Sequence, residues 1–188
     1  MIHDIHAREI FIHGFIGRFA GSWRHNLDVL FIEHPLVRID FSGVTLADAG
    51  FFATAFAENC MARSKGENEY PGTTILKGMN GDTQHNLWAA LFACVGLNTE
   101  VRNCCVLMER DNGLLYLFGK AEGTAKETFE DLCACLQLTA SDLSSMNGIA
   151  INTASSRLKT LYDLGLCYRE QRGQYFVYTF VGEGVKDS

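Results

Sequence analysis

The sequence lacks the features that define several large protein classes. Its 188 residues contain no long uncharged apolar run and carry a formal net charge of −6. Without about 18 consecutive apolar residues no transmembrane helix is expected, and the charged and histidine residues within the first fifteen positions predict no secretory signal. The acidic balance excludes a protein coated in basic surface. We therefore expect a cytoplasmic protein that does not associate with membranes.

Motifs of the common catalytic classes are also missing. None of the patterns GxxxxGK[ST], GxSxG, HExxH or GxGxxG occurs in the chain. The seven cysteines form no CxxC pair, and an odd number cannot pair completely within one chain, so buried and unreactive thiols are expected rather than a zinc site. We predict no catalytic residue, no metal and no cofactor, and hence a protein that is not an enzyme.

The first 120 residues alternate between strand and helix patterns. With 47% hydrophobic residues and 11% aromatics, the chain can fill a globular core. The predicted strands cover 10–16, 36–41, 73–77, 103–109 and 114–119, and the predicted helices cover 22–34, 48–63 and 82–95. Asp111-Asn-Gly113 predicts a hairpin turn between the last two strands, and Ser42-Gly43 predicts a turn after the second. This order is typical of an α/β domain with a mixed sheet, here over residues 1–120.

Residues 121–188 follow a different order, in which three helices precede a hairpin. Thr124-Ala-Lys-Glu127 and Thr139-Ala-Ser-Asp142 each match a capping box, in which two side chains satisfy free N–H groups at a helix start. The third helix is predicted over 152–164, with Gly165 at its end. Two β-prone runs, 166–170 and 175–180, follow as a hairpin. We predict a second domain over residues 121–188.

The spacing of apolar residues after position 156 is the most informative pattern in the chain. Arg157-Leu158, Leu161 and Leu164-Gly165-Leu166 are spaced as in the third helix, and its exit into the wing, of prokaryotic winged helix-turn-helix regulators. Residues 121–188 resemble that family. The resemblance implies binding to double-stranded DNA, with the third helix in the major groove and the wing on the backbone or the minor groove.

A helical projection of the third helix agrees with that role. At about 100° per residue, Ala154, Leu158, Leu161 and Tyr162 share one face, and the opposite face is small and polar. Such side chains can approach base edges and phosphates, and Arg172 at the wing tip can meet a phosphate. The predicted DNA-binding residues are Asn152, Thr153, Ser155, Ser156, Arg157, Lys159, Thr160 and Arg172.

Charge restricts any DNA contact to a local surface. Residues 121–188 contain six basic and nine acidic residues, although four basic residues meet only two acidic ones between Ile149 and Gln174. Neutralisation of DNA phosphates normally dominates binding affinity, so such a module binds DNA weakly on its own. A homodimer would strengthen the binding by pairing two half-sites. Winged helices also dock proteins, which leaves protein docking as the alternative.

The segment from Val37 to Phe52 is similar to the strand-to-helix junction of STAS domains, the fold of anti-sigma-factor antagonists. Asp40-Phe-Ser-Gly-Val44 stands where that family has Asp-Leu-Ser-x-Val, and Asp48 stands at its helix-opening acid. The resemblance implies a small STAS-like mixed sheet with helices that senses or docks a protein partner. The next two family positions are usually Ser-Ser, one of them phosphorylated. Here they are Ala49 and Gly50, which cannot accept phosphate.

The residues themselves give simpler roles to the two acids of this segment. Asp48 is predicted to cap a helix N-terminus, and Asp40 to accept a hydrogen bond in a turn. Taken together, the sequence favours a DNA-binding transcriptional regulator with a STAS-like sensing or docking domain. The alternative is a protein-interaction adaptor, whose winged helix docks protein and whose Phe51, Phe52 and Phe56 form either a docking face or simple core.

Overall fold

A five-stranded sheet organises the first half of the chain. The computed structural model describes residues 7–16, 36–57, 60, 72–97 and 102–182, and for the first of these ranges the backbone alone. The strands, in their spatial order, are β1 (Ala7–Ile16), β2 (Leu36–Ala47), β3 (Thr73–Lys77), β4 (Cys104–Glu109) and β5 (Leu115–Lys120). The first four run parallel and β5 is antiparallel to β4, which confirms an α/β fold with a mixed sheet. The predicted helix over 22–34 lies outside the described residues.

The first face of the sheet packs against helices. Val37, Ile39 and Phe41 of β2 point to this face because side chains alternate along a strand. They meet α1 (Ala49–Phe52), the π-helical turn Ala53–Ala57 that continues it, and α2 (Gly81–Leu97). The three rings of the phenylalanine-rich segment are buried here, so the docking-face interpretation of Phe51, Phe52 and Phe56 is wrong and core packing is confirmed.

The second face packs against the C-terminal module, by which we mean residues 123–182. Leu36, Ile75 and Leu107 share one buried cluster with apolar residues of α3 (Gly123–Cys135), α4 (Ala140–Asn147) and α5 (Ile151–Asp163). Strand β4 is buried on both sides, as a central strand covered by helices should be. The cluster spans the predicted boundary between residues 120 and 121.

A small sheet completes the C-terminal module. Strands β7 (Tyr168–Arg172) and β8 (Tyr175–Thr179) form the predicted hairpin, and the two-residue β6 (Gln137–Leu138) pairs with β8. The capping box at Thr139 is confirmed, because its hydroxyl accepts from the Asp142 N–H at 3.2 Å while the Asp142 carboxylate accepts from the Thr139 N–H at 2.8 Å. Helix α5 ends at Asp163, and Gly165 then adopts a positive φ of 70°.

Two local predictions are wrong, and a third is confirmed with a different helix type. Strand β2 does not end at the predicted Ser42-Gly43 turn. Its pairing with β1 is irregular there, where the Ser42 N–H donates to Asp40 Oδ1 at 2.8 Å, but the strand continues beyond this point. Helix α3 has no capping box at Thr124, since its N-cap is Glu122, two residues earlier, and the Glu122 N–H donates to Asn103 Oδ1 at 2.7 Å. The helix predicted over 48–63 is confirmed in its described part, where it begins after the N-cap Asp48. It is α-helical only over its first four residues, and a π-helical turn with an i to i+5 pattern follows.

Candidate nucleic-acid interface

Helix α5 presents a polar arc to solvent. Ala154, Leu158 and Leu161 are buried and Tyr162 is half-buried, which confirms the predicted apolar face. Asn152, Thr153, Ser155, Ser156 and Lys159 are exposed. Ala150 precedes the helix and supplies no side-chain cap, so the first N–H groups of α5 have no side-chain acceptor from that position.

Six of the eight predicted DNA-binding residues line one of two concave surfaces, and Lys159 and Arg172 line neither. Asn152 and Ser155 line a cleft between α5 and the hairpin. Four others line a second concavity, together with Arg102 and Asn103, which precede β4, and Glu122, which precedes α3. These four are Thr153, Ser156, Arg157 and Thr160. Arg157 and Thr160 are only partly exposed, so the outermost arc is narrower than the sequence pattern predicted.

The cleft beside the hairpin has an apolar floor that the sequence analysis missed. It encloses about 630 Å³ between the first turns of α4 and α5 and the hairpin. Ile151, Tyr175 and Phe176 line it and are 54%, 56% and 40% exposed. Exposure along β8 does not alternate, because Tyr175 and Phe176 are both exposed and Val177 and Tyr178 both buried. A period-two pattern therefore could not have identified these rings.

Three of the four basic residues near the interface already have partners within the C-terminal module. Lys159 forms an ion pair with Asp163 one turn along α5, and Arg172 Nη2 lies 3.0 Å from Glu170 Oε2. The Arg169 guanidinium lies over the rings of Tyr162 and Phe176, at 4.0 and 4.4 Å from their centroids. Arg169 thus fastens the hairpin to α5, a structural role that charge counting alone would not identify.

Hydroxyl groups along α5 bond to its own backbone. Ser156 Oγ donates to the Asn152 carbonyl at 2.9 Å, and Thr160 Oγ1 donates to the Ser156 carbonyl at 3.0 Å. Their protons are therefore engaged, while their oxygen lone pairs can accept. With these hydroxyl protons engaged, Asn152 offers the arc an amide group that can both donate to and accept from a base edge.

One acid borders the cleft in its charged form. Hydrogen bonds from the Thr139 hydroxyl and backbone N–H hold the pKa of Asp142 below its usual range. Asp142 lines the cleft together with Asn152 and Ser155. A fixed negative charge at this edge repels a phosphate, so phosphate contacts are better placed toward Lys159 and the hairpin tip.

Most cysteines among the described residues follow the expected buried and unreactive pattern. Cys60, Cys104, Cys105 and Cys167 are buried. Contact with Cys60 and burial raise the pKa of the Cys104 thiol, and burial raises the pKa of Cys133 to about 12, so neither thiol ionises near neutral pH. Cys135 is exposed, contrary to the prediction, because it lies in the last turn of α3 on its outer side.

The first half of the chain assigns its two prominent acids to structural roles. Asp48 caps α1, where its Oδ1 accepts from the Phe51 N–H at 2.7 Å, as predicted. Asp40 accepts from the Ser42 N–H and lies 3.4 Å from Lys77 Nζ, which confirms its role as a local acceptor. Ala49 and Gly50 form the first turn of α1 and carry no hydroxyl.

No protein-family model matches the chain, and no curated protein matches it. None of the helices within the described ranges combines the length and apolar character that a membrane span needs. Across those same ranges, His, Cys, Asp and Glu form no group of three that could hold a metal ion. The geometry alone therefore defines the class of this protein. It is an α/β protein whose candidate site is an exposed polar helix beside a hairpin.

Proposed function

We propose that the C-terminal module is a winged helix-turn-helix domain that binds double-stranded DNA, with α5 in the major groove and the β7–β8 hairpin as its wing. The observation that carries the proposal is the outward arc of α5, which combines the exposed side chains of Asn152, Ser155 and Ser156 with a firmly buried opposite face. Short polar side chains let a helix approach base edges closely. The order of α3, α4, α5 and hairpin supports the same assignment.

The ion pairs on this surface are compatible with phosphate binding. Lys159 and Arg172 have side chains 58% and 41% exposed, and exposed pairs contribute only about 0 to 1 kcal/mol. Exchange of the Asp163 or Glu170 carboxylate for a DNA phosphate therefore costs little. Because each phosphate contact releases counterions, the resulting binding is modest and depends on salt.

The first half of the chain serves, in this proposal, as a STAS-like domain that senses or docks a protein partner. The parallel strands β2 and β3 and the capped start of α1 at Asp48 support the STAS-like assignment. Ala49 and Gly50 offer no phosphate acceptor at the usual position, so occupancy by a partner, rather than phosphorylation there, would regulate the protein. The shared apolar cluster gives such a partner a physical route to the DNA-binding module.

A salt titration tests DNA binding. Mobility shift on duplexes from the gene's own upstream region should show binding at about 50 mM salt that weakens steeply by about 200 mM. Lys159→Ala and Arg172→Ala should each weaken binding across all sequences and reduce the salt slope by about 1. Absence of any duplex binding at the lower salt would contradict the proposal.

A matched control is available on α3. Lys126 pairs with Glu130 at 3.9 Å in the same i, i+4 arrangement as Lys159 with Asp163, and both lysines are exposed. Lys126→Ala removes the same charge and a similar ion pair from α3, which does not enter the DNA groove in this proposal. It should leave the salt slope unchanged, because it removes no phosphate contact.

The apolar floor of the cleft favours a second candidate function, that of a protein-interaction adaptor. Ile151, Tyr175 and Phe176 together expose apolar surface suited to an apolar segment of a partner protein. If the wild-type protein does not bind DNA at low salt, the adaptor function replaces DNA binding as the proposal. Ile151→Glu should then abolish partner capture from lysate, while Lys159→Ala should leave it intact.

A further inference from the structure

The second concavity beside α5 gathers hydrogen-bond donors from three parts of the chain. It encloses about 430 Å³, which lies within the range of about 300 to 1,000 Å³ that is usual for small-molecule sites. Arg102 and Asn103 line it from the segment before β4, Thr124 lines it from the first turn of α3, and Arg157 lines it from α5. We name it the arginine concavity.

Arg157 belongs to a different stripe of α5 from the outermost arc. The residues that α5 contributes to the concavity follow the i, i+3, i+4, i+7 spacing of one helix face, and they are Thr153, Ser156, Arg157 and Thr160. With 3.6 residues per turn, Arg157 lies about 140° around the helix from Asn152. A ligand of Arg157 in the concavity is therefore separate from a base edge that Asn152 contacts.

Arg157 carries a charge that no other described residue neutralises. Within the described part of the chain its side chain forms no ion pair, hydrogen bond or ring contact, and it is only partly exposed. A guanidinium presents its N–H donors in a planar fork that matches the oxygens of a phosphate. Arg102 brings a second guanidinium to the same concavity, where its Nε lies 3.9 Å from Glu122 Oε1 in an exposed pair. Exposed pairs of this kind are weak, so Glu122 does not keep Arg102 from binding an anion.

A buried amide adds a neutral donor to the concavity. Asn103 is only 8% exposed, and its Oδ1 accepts from the Glu122 N–H at 2.7 Å. This bond fixes the orientation of the amide and leaves Nδ2 as its donor. Among the described residues none accepts a hydrogen bond from Nδ2, which is not sealed from solvent. Because Asn103 lines the concavity, its amide hydrogens are available to a ligand there.

We propose that the arginine concavity binds the phosphate group of a small phosphorylated molecule, with Arg157 and Arg102 as its cationic ligands and Asn103 as a neutral donor. The lining contains two basic residues and one acidic residue, so its net charge is +1 in a chain whose net charge is −6. A phosphate presents more acceptor oxygens and more negative charge than a carboxylate. It therefore matches two guanidinium groups and an amide better than a carboxylate does.

Titration of the full chain with inorganic phosphate tests the site. The NMR signals of the Asn103 side-chain amide and of the Arg157 Nε–H should shift saturably, whereas chloride at the same ionic strength should not shift them. We expect a dissociation constant on the order of 1 mM, because Arg102 is 74% exposed and solvent screens its charge. Arg157→Gln should raise that constant at least about tenfold, because it removes a charged donor. Glu122→Gln should lower it by a factor of about 2 to 3, because it removes the competing carboxylate.

Arg110→Gln is the matched control. Arg110 follows β4 and Arg102 precedes it, so the two arginines lie at opposite ends of this strand. The Arg110 guanidinium lies 4.9 Å from the centroid of the Tyr116 ring and does not line the concavity. Its replacement should leave phosphate affinity unchanged. A wild type that shows no saturable shifts, or an equal loss of affinity in Arg157→Gln and Arg110→Gln, would overturn the proposal.

Duplex binding by Arg157→Gln distinguishes the two possible sources of the phosphate. If the ligand is a free molecule, as we propose, the variant should bind duplex in phosphate-free buffer within about twofold of the wild type. A lower duplex affinity, with a salt slope reduced by about 1, would assign the concavity to the DNA backbone and overturn the assignment to a free molecule. The phosphate titration contains no DNA, so its failure is distinguishable from failure of the proposed function.

Discussion

Helices α2 and α5 bury similar faces but expose different ones. Beneath α2 lie Leu87 and Leu91, and beneath α5 lie Leu158 and Leu161, all of them almost completely buried. Outward, α2 shows the stacked rings of Trp88 and Phe92, whereas α5 shows a polar arc of short side chains. The buried faces fix where each helix sits on the sheet, and the outward faces determine what each can bind.

This difference separates two kinds of contact in one small protein. Stacked, nearly uncharged rings gain from removal from water, which an apolar protein surface provides. Short hydroxyl and amide groups gain little from apolar contact but can pair with base edges and phosphates. The outward face of α2 suits an apolar surface, and that of α5 suits the DNA contact that we propose.

The largest expected effect comes from the buried faces, where the two helices should behave alike. Leu158→Ala in α5 and Leu91→Ala in α2 should each lower the free energy of unfolding by about 2 to 5 kcal/mol, because each leaves a cavity in a packed cluster. Urea denaturation followed by circular dichroism measures this change. Ser156→Ala on the exposed arc should change stability by less than about 0.5 kcal/mol. A loss confined to one helix would break the comparison.

The next effect should separate the two helices by DNA binding. Asn152→Ala should reduce discrimination between preferred and mismatched duplexes by about 1 to 3 kcal/mol, because it removes an amide able to pair with adenine. Fluorescence anisotropy with selected and scrambled duplexes measures the ratio. Trp88→Ala is the counterpart on α2 and should leave the discrimination unchanged. Equal losses in both variants would count against the assignment of DNA contact to α5.

A smaller effect concerns the helix start that precedes α5. Thr139→Ala removes the hydroxyl that accepts from the Asp142 N–H and should lower stability by about 1 kcal/mol. Thermal unfolding monitored by circular dichroism reports this loss. Ser141→Ala, a neighbouring serine within the first turn of α4, should have a much smaller effect. If Thr139→Ala causes no loss of stability, the capping box contributes nothing to it.

The smallest expected effect is a pH dependence from the same capping box. The pKa of Asp142 is lowered in the folded state by its hydrogen bonds to Thr139, so its ionised form favours folding. That contribution is fully present above the unfolded pKa of about 4 and is lost as pH falls through the lower folded value. Asp142→Asn should therefore destabilise the protein at pH 7 but less at about pH 2. A constant difference across this range would exclude the carboxylate as the cause.

Strong local patterns predicted much of this fold. Strand β3 was predicted with its observed bounds, and the Asp111-Asn-Gly113 hairpin and the Thr139 capping box are confirmed. The failures involve tertiary contacts, because Asn103 holds the start of α3 and β2 continues past Ser42 alongside its neighbouring strand. The local propensity of a segment contains no information about partners that are remote in sequence.

Sequence reasoning found the polar arc of α5 but not its surroundings. Periodicity located Asn152 and Ser156 on the outward side because helix geometry alone determines that placement. The division of the predicted residues between two concavities depends on α3 and the hairpin, which are remote in sequence. The same applies to Arg169, whose ring partners Tyr162 and Phe176 meet only after the hairpin folds back.

The most direct test compares the two outward faces within one molecule. Amide and side-chain NMR chemical shifts of the full chain would be recorded while a duplex is added at low salt. We expect perturbations to cluster at Asn152, Ser155, Ser156 and the hairpin tip around Arg172, with His85 and Trp88 unchanged. Perturbations centred on α2, or none on α5 at saturating duplex, would contradict it.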